Sequence, residues 1–94
     1  MLFHIRCIDK PGRSDLRAGT RAEHLEFMGN FMDQVIIAGP TLSDDGETMT
    51  GSVILIEVPD RAAAEAFCAD DPYFQAGLFE SVVIRRFRKV LPAD

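Results

Sequence analysis

A chain of 94 residues is long enough for one domain and too short for two independent cores. Hydrophobic residues make up 47% of it and charged residues 27%, which is typical of a globular protein rather than a disordered or fibrous one. Fifteen acidic residues against ten basic ones give a net charge of −5. That balance argues against a nucleic-acid-binding domain and against a protein that binds anionic membrane surfaces.

The first residues and the cysteines indicate the compartment. Arg6 comes before any apolar core of useful length, so the start of the chain does not resemble a signal peptide. No apolar run approaches the roughly 20 residues of a membrane span. Cys7 and Cys68 show neither metal-site spacing nor the dense framework of a small secreted domain. We therefore expect a cytoplasmic protein with reduced thiols.

The first third of the chain predicts a strand followed by a helix. Residues 2–8 are dense in β-forming side chains and end at the turn sequence DKPG. Ser14 or Asp15 can cap a helix that runs to about Met32. Apolar residues recur along it at helical spacing and predict its buried face. They are Ala18, Leu25, Met28 and Met32, with Phe27 and Phe31 beside them. The more polar directions are taken by Arg17, Arg21, Glu23 and Glu26.

The remainder of the chain predicts three strands and a second helix. The strands are expected over residues 35–38, over 52–58, and from 78 or 79 to 87. Gly39-Pro40 ends the first of them, and the polar stretch 43–47 forms a hairpin connection. Asp60 can cap an alanine-rich helix that breaks near residue 71. Asp71 can in turn cap a further short helical turn.

This order of elements, β-α-β-β-α-β, predicts an α+β domain with the ferredoxin-like arrangement. In that arrangement a four-stranded antiparallel sheet carries both helices on one face. The run VILI at residues 53–56 places apolar side chains on both faces, because successive residues of a strand point in opposite directions. A second copy of the chain is the simplest cover for the other face. We therefore expect a homodimer through the open sheet face, with a cavity near the sheet ends.

Four stretches resemble a known family over nearly the whole chain: RAEHL at 21–25, AGP at 38–40, TGS at 50–52 and DDPYFQAGLF at 70–79. The chain resembles the YciI-like (YCII-related) family, and the last stretch is the most specific match. The resemblance implies a single domain over residues 1–94, a dimeric α+β barrel, and a catalytic pair that corresponds to His24 and Asp71. One relative is a dehydrochlorinase acting on a chlorinated hydroxyhydroquinone, and the wider superfamily includes muconolactone isomerase and small monooxygenases.

A histidine and an aspartate at these positions suit proton transfer. His24 lies at the edge of the predicted apolar face, and an imidazole can give or take a proton near neutral pH. Asp71 would accept a hydrogen bond from one ring nitrogen and so fix the tautomer. Each residue also has a purely structural interpretation. The ring of His24 can pack on Phe27 or Phe31, and Asp71 can simply cap the helical turn that follows it.

Five further residues are candidates for substrate binding. They are Arg21, Gly39, Pro40, Ser52 and Tyr73. Arg21 lies one turn before His24 and can bind an anionic group, although a solvated or acid-paired arginine is an equal alternative. Gly39 and Pro40 bring backbone close to the pocket, and Ser52 lines it. Tyr73 closes the cavity or donates a hydrogen bond, or else packs the short helix onto the core.

The sequence predicts no metal and no cofactor. His4 and His24 stand on separate elements without a His-x-x-x-His or Cys-x-x-Cys pattern. The acidic run DDGE at 44–47 lacks calcium-loop spacing, and there is no glycine-rich phosphate loop. The basic run RRFRK at 85–89 is interpreted as a strand end with outward charges, because the acidic balance of the chain opposes a nucleic-acid partner.

Two functional hypotheses follow. The first is a small cofactor-independent enzyme of lyase or isomerase type, in which His24 and Asp71 transfer a proton on a small ring compound. The resemblance implies dehydrochlorinase-like or muconolactone isomerase-like chemistry for it. The alternative is a non-catalytic dimeric protein that binds a small ligand in the same cavity or serves as an accessory subunit. A test for turnover distinguishes the two hypotheses. A ligand that stabilises the folded protein without being converted to product indicates binding alone.

Overall fold

The computed structural model describes residues 1–93, which contain four strands, three helices and one 3-10 turn. In chain order these are β1 (Leu2–Asp9), α1 (Ser14–Met28), the 3-10 turn Gly29–Phe31, β2 (Val35–Leu42), β3 (Met49–Glu57), α2 (Arg61–Asp70), α3 (Pro72–Gln75) and β4 (Phe79–Arg86). This is the predicted β-α-β-β-α-β order. None of the helices in residues 1–93 has both the length and the apolar character needed to cross a membrane.

β1 lies inside the sheet, whose strand order is β2-β3-β1-β4. All three neighbouring pairs of strands are antiparallel. Ile5 of β1 lies opposite Ile54 of β3 on one side and Ile84 of β4 on the other. The long β1–β3 pairing follows from the split β-α-β topology, in which β3 inserts between β1 and β2. The predicted four-stranded antiparallel sheet of the ferredoxin-like class is therefore confirmed.

The helices cover one face of this sheet. Along β1, Phe3, Ile5 and Cys7 are buried while Arg6 is exposed, as expected for side chains that alternate between two faces. The buried core consists of Phe3, Ile5, Cys7, Met28, Ile54, Ile56, Val58, Ala64 and Phe67. Since Met28 belongs to α1 and Phe67 to α2, both long helices pack on the same face, as predicted.

The predicted caps of the second helix and of the short helical turn are confirmed. The side chain of Asp60 accepts a hydrogen bond from the backbone N–H of Ala63 at the start of α2. The side chain of Asp71 accepts one from Tyr73 at the start of α3. Each bond satisfies a backbone donor that has no partner within the helix, which is why these residue types mark helix starts.

α1 begins and ends differently from the prediction. The side-chain cap predicted at Ser14 or Asp15 is wrong, because Ser14 is already helical and Arg13 occupies the cap position without a side-chain hydrogen bond. Asp15 instead lies in the first turn, where its charge interacts favourably with the helix dipole. The helix ends at Met28, four residues earlier than predicted. Gly29 is a weak helix former, and the chain tightens there into the 3-10 turn.

The buried face of α1 also differs from the prediction. Met28 is buried, but Leu25 and Met32 of the predicted apolar line are 49% and 58% exposed. Arg17, predicted to lie in a polar direction of the helix, is buried, as is Thr20. The helix therefore turns a partly polar stripe toward the sheet, and this stripe contributes to the site described below.

The prediction that β2 ends at Gly39-Pro40 is wrong, because the strand continues to Leu42. Pro40 lies opposite Ser52 of β3. β2 is an edge strand, and a proline is tolerated there because one side of the strand has no partner that needs its N–H. The polar stretch 43–47 joins β2 to β3 as the predicted hairpin connection, closed by a hydrogen bond between Ser43 and Thr48.

Candidate active site

His24 of α1 and Asp71, the residue before α3, are in contact although 47 positions separate them in the chain. Nδ1 of the imidazole lies 2.9 Å from Oδ1 of the carboxylate. The two side chains are 13% and 4% exposed. A carboxylate can only accept a hydrogen bond, so the ring donates through Nδ1–H, and in the neutral imidazole Nε2 is then the acceptor. The catalytic role of the two residues remains a prediction.

The same carboxylate oxygen of Asp71 has a second partner. Oδ1 also accepts the backbone N–H of Tyr73 at 2.9 Å in the first turn of α3. Pro72, which lies between these two residues, has no N–H and suits the first helical position. The helix-cap and imidazole-partner interpretations of Asp71 are therefore compatible, and a single oxygen serves both.

The ring of Tyr73 stacks on the imidazole of His24, with 4.0 Å between ring centroids and 17° between planes. Tyr73 is buried, and its ring makes an edge contact with Phe79 at the start of β4. His24 does not stack on Phe27 or Phe31, which contact each other instead. The stack and the hydrogen bond to Asp71 together restrict the imidazole to one orientation.

Arg17 of α1 is a site residue that the sequence interpretation missed. Its guanidinium forms two bonds to Asp9 at the end of β1, Nε to Oδ2 at 2.7 Å and Nη2 to Oδ1 at 3.1 Å. Nη2 also donates to Oγ of Ser52 at 2.9 Å. The Cζ atom lies 4.6 Å from the ring centre of Tyr73. The helical spacing could have indicated this role, because Arg17 precedes His24 by two turns and therefore lies on the same face of the helix.

A cavity of about 340 Å³ opens beside these residues, and this volume is in the range of small-molecule sites. Its wall consists of Arg17, Arg21, His24, Leu25, Met28, Met32, Ala38, Gly39, Pro40, Met49, Ser52, Ile54 and Tyr73. The five residues predicted to bind substrate all lie on this wall, as does His24. Asp71 is not part of the wall and reaches the site through His24.

Burial and charge act on the ionisable groups around the cavity. Burial raises the pKa of the Tyr73 hydroxyl, and the positive charges of Arg17 and Arg21 oppose this effect. Burial also raises the pKa of the Cys7 and Cys68 thiols to about 12. Both thiols therefore stay protonated near neutral pH, and a protonated thiol behaves as a small hydrophobic group rather than as a nucleophile.

The two histidines do not share a ligand site. His4 alternates along β1 with the core residues Phe3 and Ile5, so it points to the sheet face that the helices leave open. His24 lies on a helix that packs on the opposite face. Within residues 1–93, no three side chains of His, Cys, Asp or Glu come close enough together to hold a metal ion.

Comparison with known proteins gives one family. The YCII-related domain matches residues 1–88 of the chain. Protein YciI of Escherichia coli O6:H1 is 32% identical to it over 97 aligned residues, which cover 96% of this chain and 99% of that protein. The likeness therefore extends over nearly the full length of both proteins.

Two solved structures place the fold. One is the 5-chloro-2-hydroxyhydroquinone dehydrochlorinase (TftG) of Burkholderia phenoliruptrix AC1100, solved in complex with 2,5-dihydroxybenzoquinone. It is 31% identical to this chain with a TM-score of 0.91, and the match covers 100% of both chains. An antibiotic biosynthesis monooxygenase is 19% identical with a TM-score of 0.55, covering 95% of this chain and 100% of its own, and is similar in fold alone. Given the match over residues 1–88 and the full-length likeness to YciI, the chain belongs to the YCII-related family.

Proposed function

We propose that this protein is an enzyme that transfers a proton on a small ring compound, with Nε2 of His24 as the general base. The observation that carries the proposal is the 2.9 Å hydrogen bond between His24 and Asp71 at the wall of the cavity. Asp71 holds Nδ1–H, so the lone pair of Nε2 is available to a substrate. The carboxylate charge stabilises the imidazolium that forms when Nε2 takes a proton.

The reaction class is that of a lyase or an isomerase. In a lyase step, Nε2 takes a proton from the ring compound and the electron pair of the broken bond forms a double bond. A leaving group such as chloride departs with its own bonding pair. In an isomerase step, the imidazolium returns the proton to a different atom of the ring. Neither step passes electrons to an acceptor, so the proposed chemistry needs no redox cofactor.

Both the cavity wall and a relative support a ring compound as substrate. Apolar side chains such as Leu25, Met28 and Ile54 suit the faces and edges of a flat ring. Arg21 and Ser52 add a positive charge and a hydroxyl to the same wall. The dehydrochlorinase that is 31% identical to this chain was solved with 2,5-dihydroxybenzoquinone. We therefore infer a small hydroxylated or anionic ring compound.

Chloride release from 5-chloro-2-hydroxyhydroquinone, assayed beside a panel of other hydroxylated rings, tests the proposal. We expect turnover by the wild-type protein and a loss of about 10²–10⁴-fold in kcat for His24→Ala, the usual contribution of a general acid or base. Glu23→Ala is the matched control, because this residue is exposed on the same helix and does not line the cavity, and it should keep the wild-type rate.

Two outcomes contradict the proposal. An unchanged rate in folded His24→Ala, with folding checked by circular dichroism and thermal unfolding, removes His24 as the base. Ring compounds that raise the melting temperature without forming product indicate the non-catalytic binding function instead.

We also propose that the protein is a homodimer formed through the sheet face that the helices leave open. Leu55 of β3 lies opposite His4 of β1 and Ile37 of β2, so all three point to this face. Ile37 is 62% exposed, and Val83 of β4 adds further apolar surface. The same face of a second copy would cover this area.

Sedimentation analysis of two variants tests the dimer. Leu55→Asp places a charge at the centre of the open face and should give monomers, because burying an unpaired carboxylate is costly. Val90→Asp adds the same charge at a position beyond β4 that is 70% exposed, and it should stay dimeric. A wild-type protein that sediments as a monomer would reject the proposed interface.

A further inference from the structure

Two arginines line the wall of the cavity together with Tyr73. The Cζ atom of Arg17 lies 4.6 Å from the Tyr73 ring centre, and Arg21 lines the same cavity one turn further along α1. Burial raises the pKa of the Tyr73 hydroxyl, and both arginine charges act against it. The hydroxyl is therefore within the electrostatic reach of two positive charges.

The proton of this hydroxyl is available to a ligand. Arg17 packs over the Tyr73 ring, and its charge lowers the pKa of the hydroxyl. A guanidinium has five N–H donors and no acceptor, so Arg17 cannot accept the O–H proton of Tyr73. Because Tyr73 lines the cavity, a ligand there can accept that proton.

Arg17 and Arg21 differ in charge balance. Arg17 is paired with Asp9 at 2.7 Å in a site where both side chains are less than a tenth exposed, so this pair contributes little net charge. Arg21 has no acidic partner at ion-pair distance within residues 1–93. Its side chain is exposed beside the cavity, so the guanidinium can reach a ligand that enters there.

We propose that the Tyr73 hydroxyl and the Arg21 guanidinium, supported by Arg17, bind a negatively charged oxygen of the substrate. This inference rests on the proposed function. It narrows the ring compound to one with an ionised hydroxyl, or with an oxygen that gains negative charge when His24 removes a proton. Converging donors, one of them charged, stabilise such an oxygen strongly. The stacking of Tyr73 on His24 at 4.0 Å keeps this oxygen next to the base.

The affinities for two quinones test this subsite without requiring turnover. The probes are 2,5-dihydroxybenzoquinone, whose acidic hydroxyls are ionised at neutral pH, and 2,5-dimethoxybenzoquinone, which cannot ionise. By calorimetric titration, we expect the wild-type protein to bind the ionised probe about tenfold more tightly or better, in line with the strength of charge-assisted hydrogen bonds. Tyr73→Phe and Arg21→Met should each remove most of this preference.

Arg13→Met is the matched control for the loss of one positive charge. Arg13 is an exposed arginine at the start of α1 that does not line the cavity, so its removal should leave the preference unchanged. Thermal unfolding at equal protein concentration establishes that each variant is folded. Equal affinity of the wild-type protein for the two probes overturns the inference, and so does a preference that persists in both cavity variants.

The two proposals fail in distinguishable ways. Turnover without a preference for the ionised probe rejects the subsite and leaves the proposed function standing. A preference that Tyr73→Phe and Arg21→Met abolish, in a protein that shows no turnover, supports the subsite and rejects the enzyme.

Discussion

His24 and Tyr73 share one hydrogen-bond acceptor, Oδ1 of Asp71, which lies 2.9 Å from the imidazole Nδ1 and 2.9 Å from the tyrosine backbone nitrogen. The two rings also stack on each other. The start of α3 and the orientation of the imidazole therefore depend on one carboxylate. A substitution separates the charge of this carboxylate from its hydrogen bonds only if it leaves an acceptor oxygen in place.

Asp71→Asn keeps an oxygen that can accept from Tyr73 and from His24, but it removes the charge that stabilises an imidazolium. We expect kcat to fall about 10²–10⁴-fold, with a change of less than about 1 kcal/mol in the free energy of unfolding. Asp71→Ala removes the acceptor as well and should cost about 1–3 kcal/mol of stability. Steady-state kinetics and denaturant unfolding measure the two effects, and a wild-type kcat in Asp71→Asn would contradict the proposed role.

The buried pair of Arg17 and Asp9 should show strong coupling in a double-mutant cycle. Arg17→Met or Asp9→Asn alone leaves a buried charge without its counter-charge, and each should cost about 3–5 kcal/mol. The double variant should recover about 2 kcal/mol or more relative to the sum of the single effects. The exposed pair of Arg61 and Glu65 is the control, with an expected coupling below about 0.5 kcal/mol. Additive losses at Arg17 and Asp9 would refute this expectation.

Protein stability should fall at alkaline pH because of the Cys7 thiol. Burial holds the pKa of Cys7 at about 12 in the folded chain, whereas the unfolded thiol ionises at its ordinary value of 9.0. Between these two values the folded state binds the additional proton, so the free energy of unfolding decreases as pH rises. The slope attributable to Cys7 is at most about 1.4 kcal/mol per pH unit. Denaturant unfolding from pH 9 upward should show a shallower decline for Cys7→Ala, and parallel curves would exclude the effect.

Gly51 of β3 should not tolerate alanine. A Cβ atom at this position would overlap the backbone carbonyl oxygen of Cys7 on the neighbouring strand β1. We expect Gly51→Ala to cost more than about 2 kcal/mol, because backbone atoms cannot move aside without breaking strand pairing. Gly19→Ala is the control: the position is an open one within α1, and alanine should stabilise the protein by about 0.5–1 kcal/mol. Equal melting temperatures for the two variants would show that the close approach carries no penalty.

Local patterns predicted the elements of the fold well because the forces behind them act over a few residues. Asp60 caps α2 where the sequence placed it, since a cap depends on a side chain and a backbone N–H three positions apart. Alternation along β1 and the turn that follows it likewise depend on neighbouring residues. The predicted end of β2 was wrong because Gly39-Pro40 breaks a central strand but is tolerated in an edge strand. Whether a strand lies at the edge of a sheet depends on the tertiary structure and not on neighbouring residues.

The face of α1 shows where sequence patterns stop being sufficient. Periodicity places Arg17 in one of the more polar directions of the helix, and a lone arginine is expensive to bury. The structure buries it because Asp9, on another element, neutralises it and Ser52 accepts a further bond. The sequence shows that Arg17 and Asp9 are present, but it does not show the packing that brings them together.

The sequence by itself determined the order of strands and helices, two of the helix caps and the family, since each depends on near neighbours or on a long matching stretch. Only the tertiary structure decided that Arg17 is buried and that the imidazole of His24 meets a carboxylate 47 positions away. The physical reason is that a polar side chain is stable inside a protein only beside a complementary group. Which groups become neighbours is settled when the helices pack on the sheet.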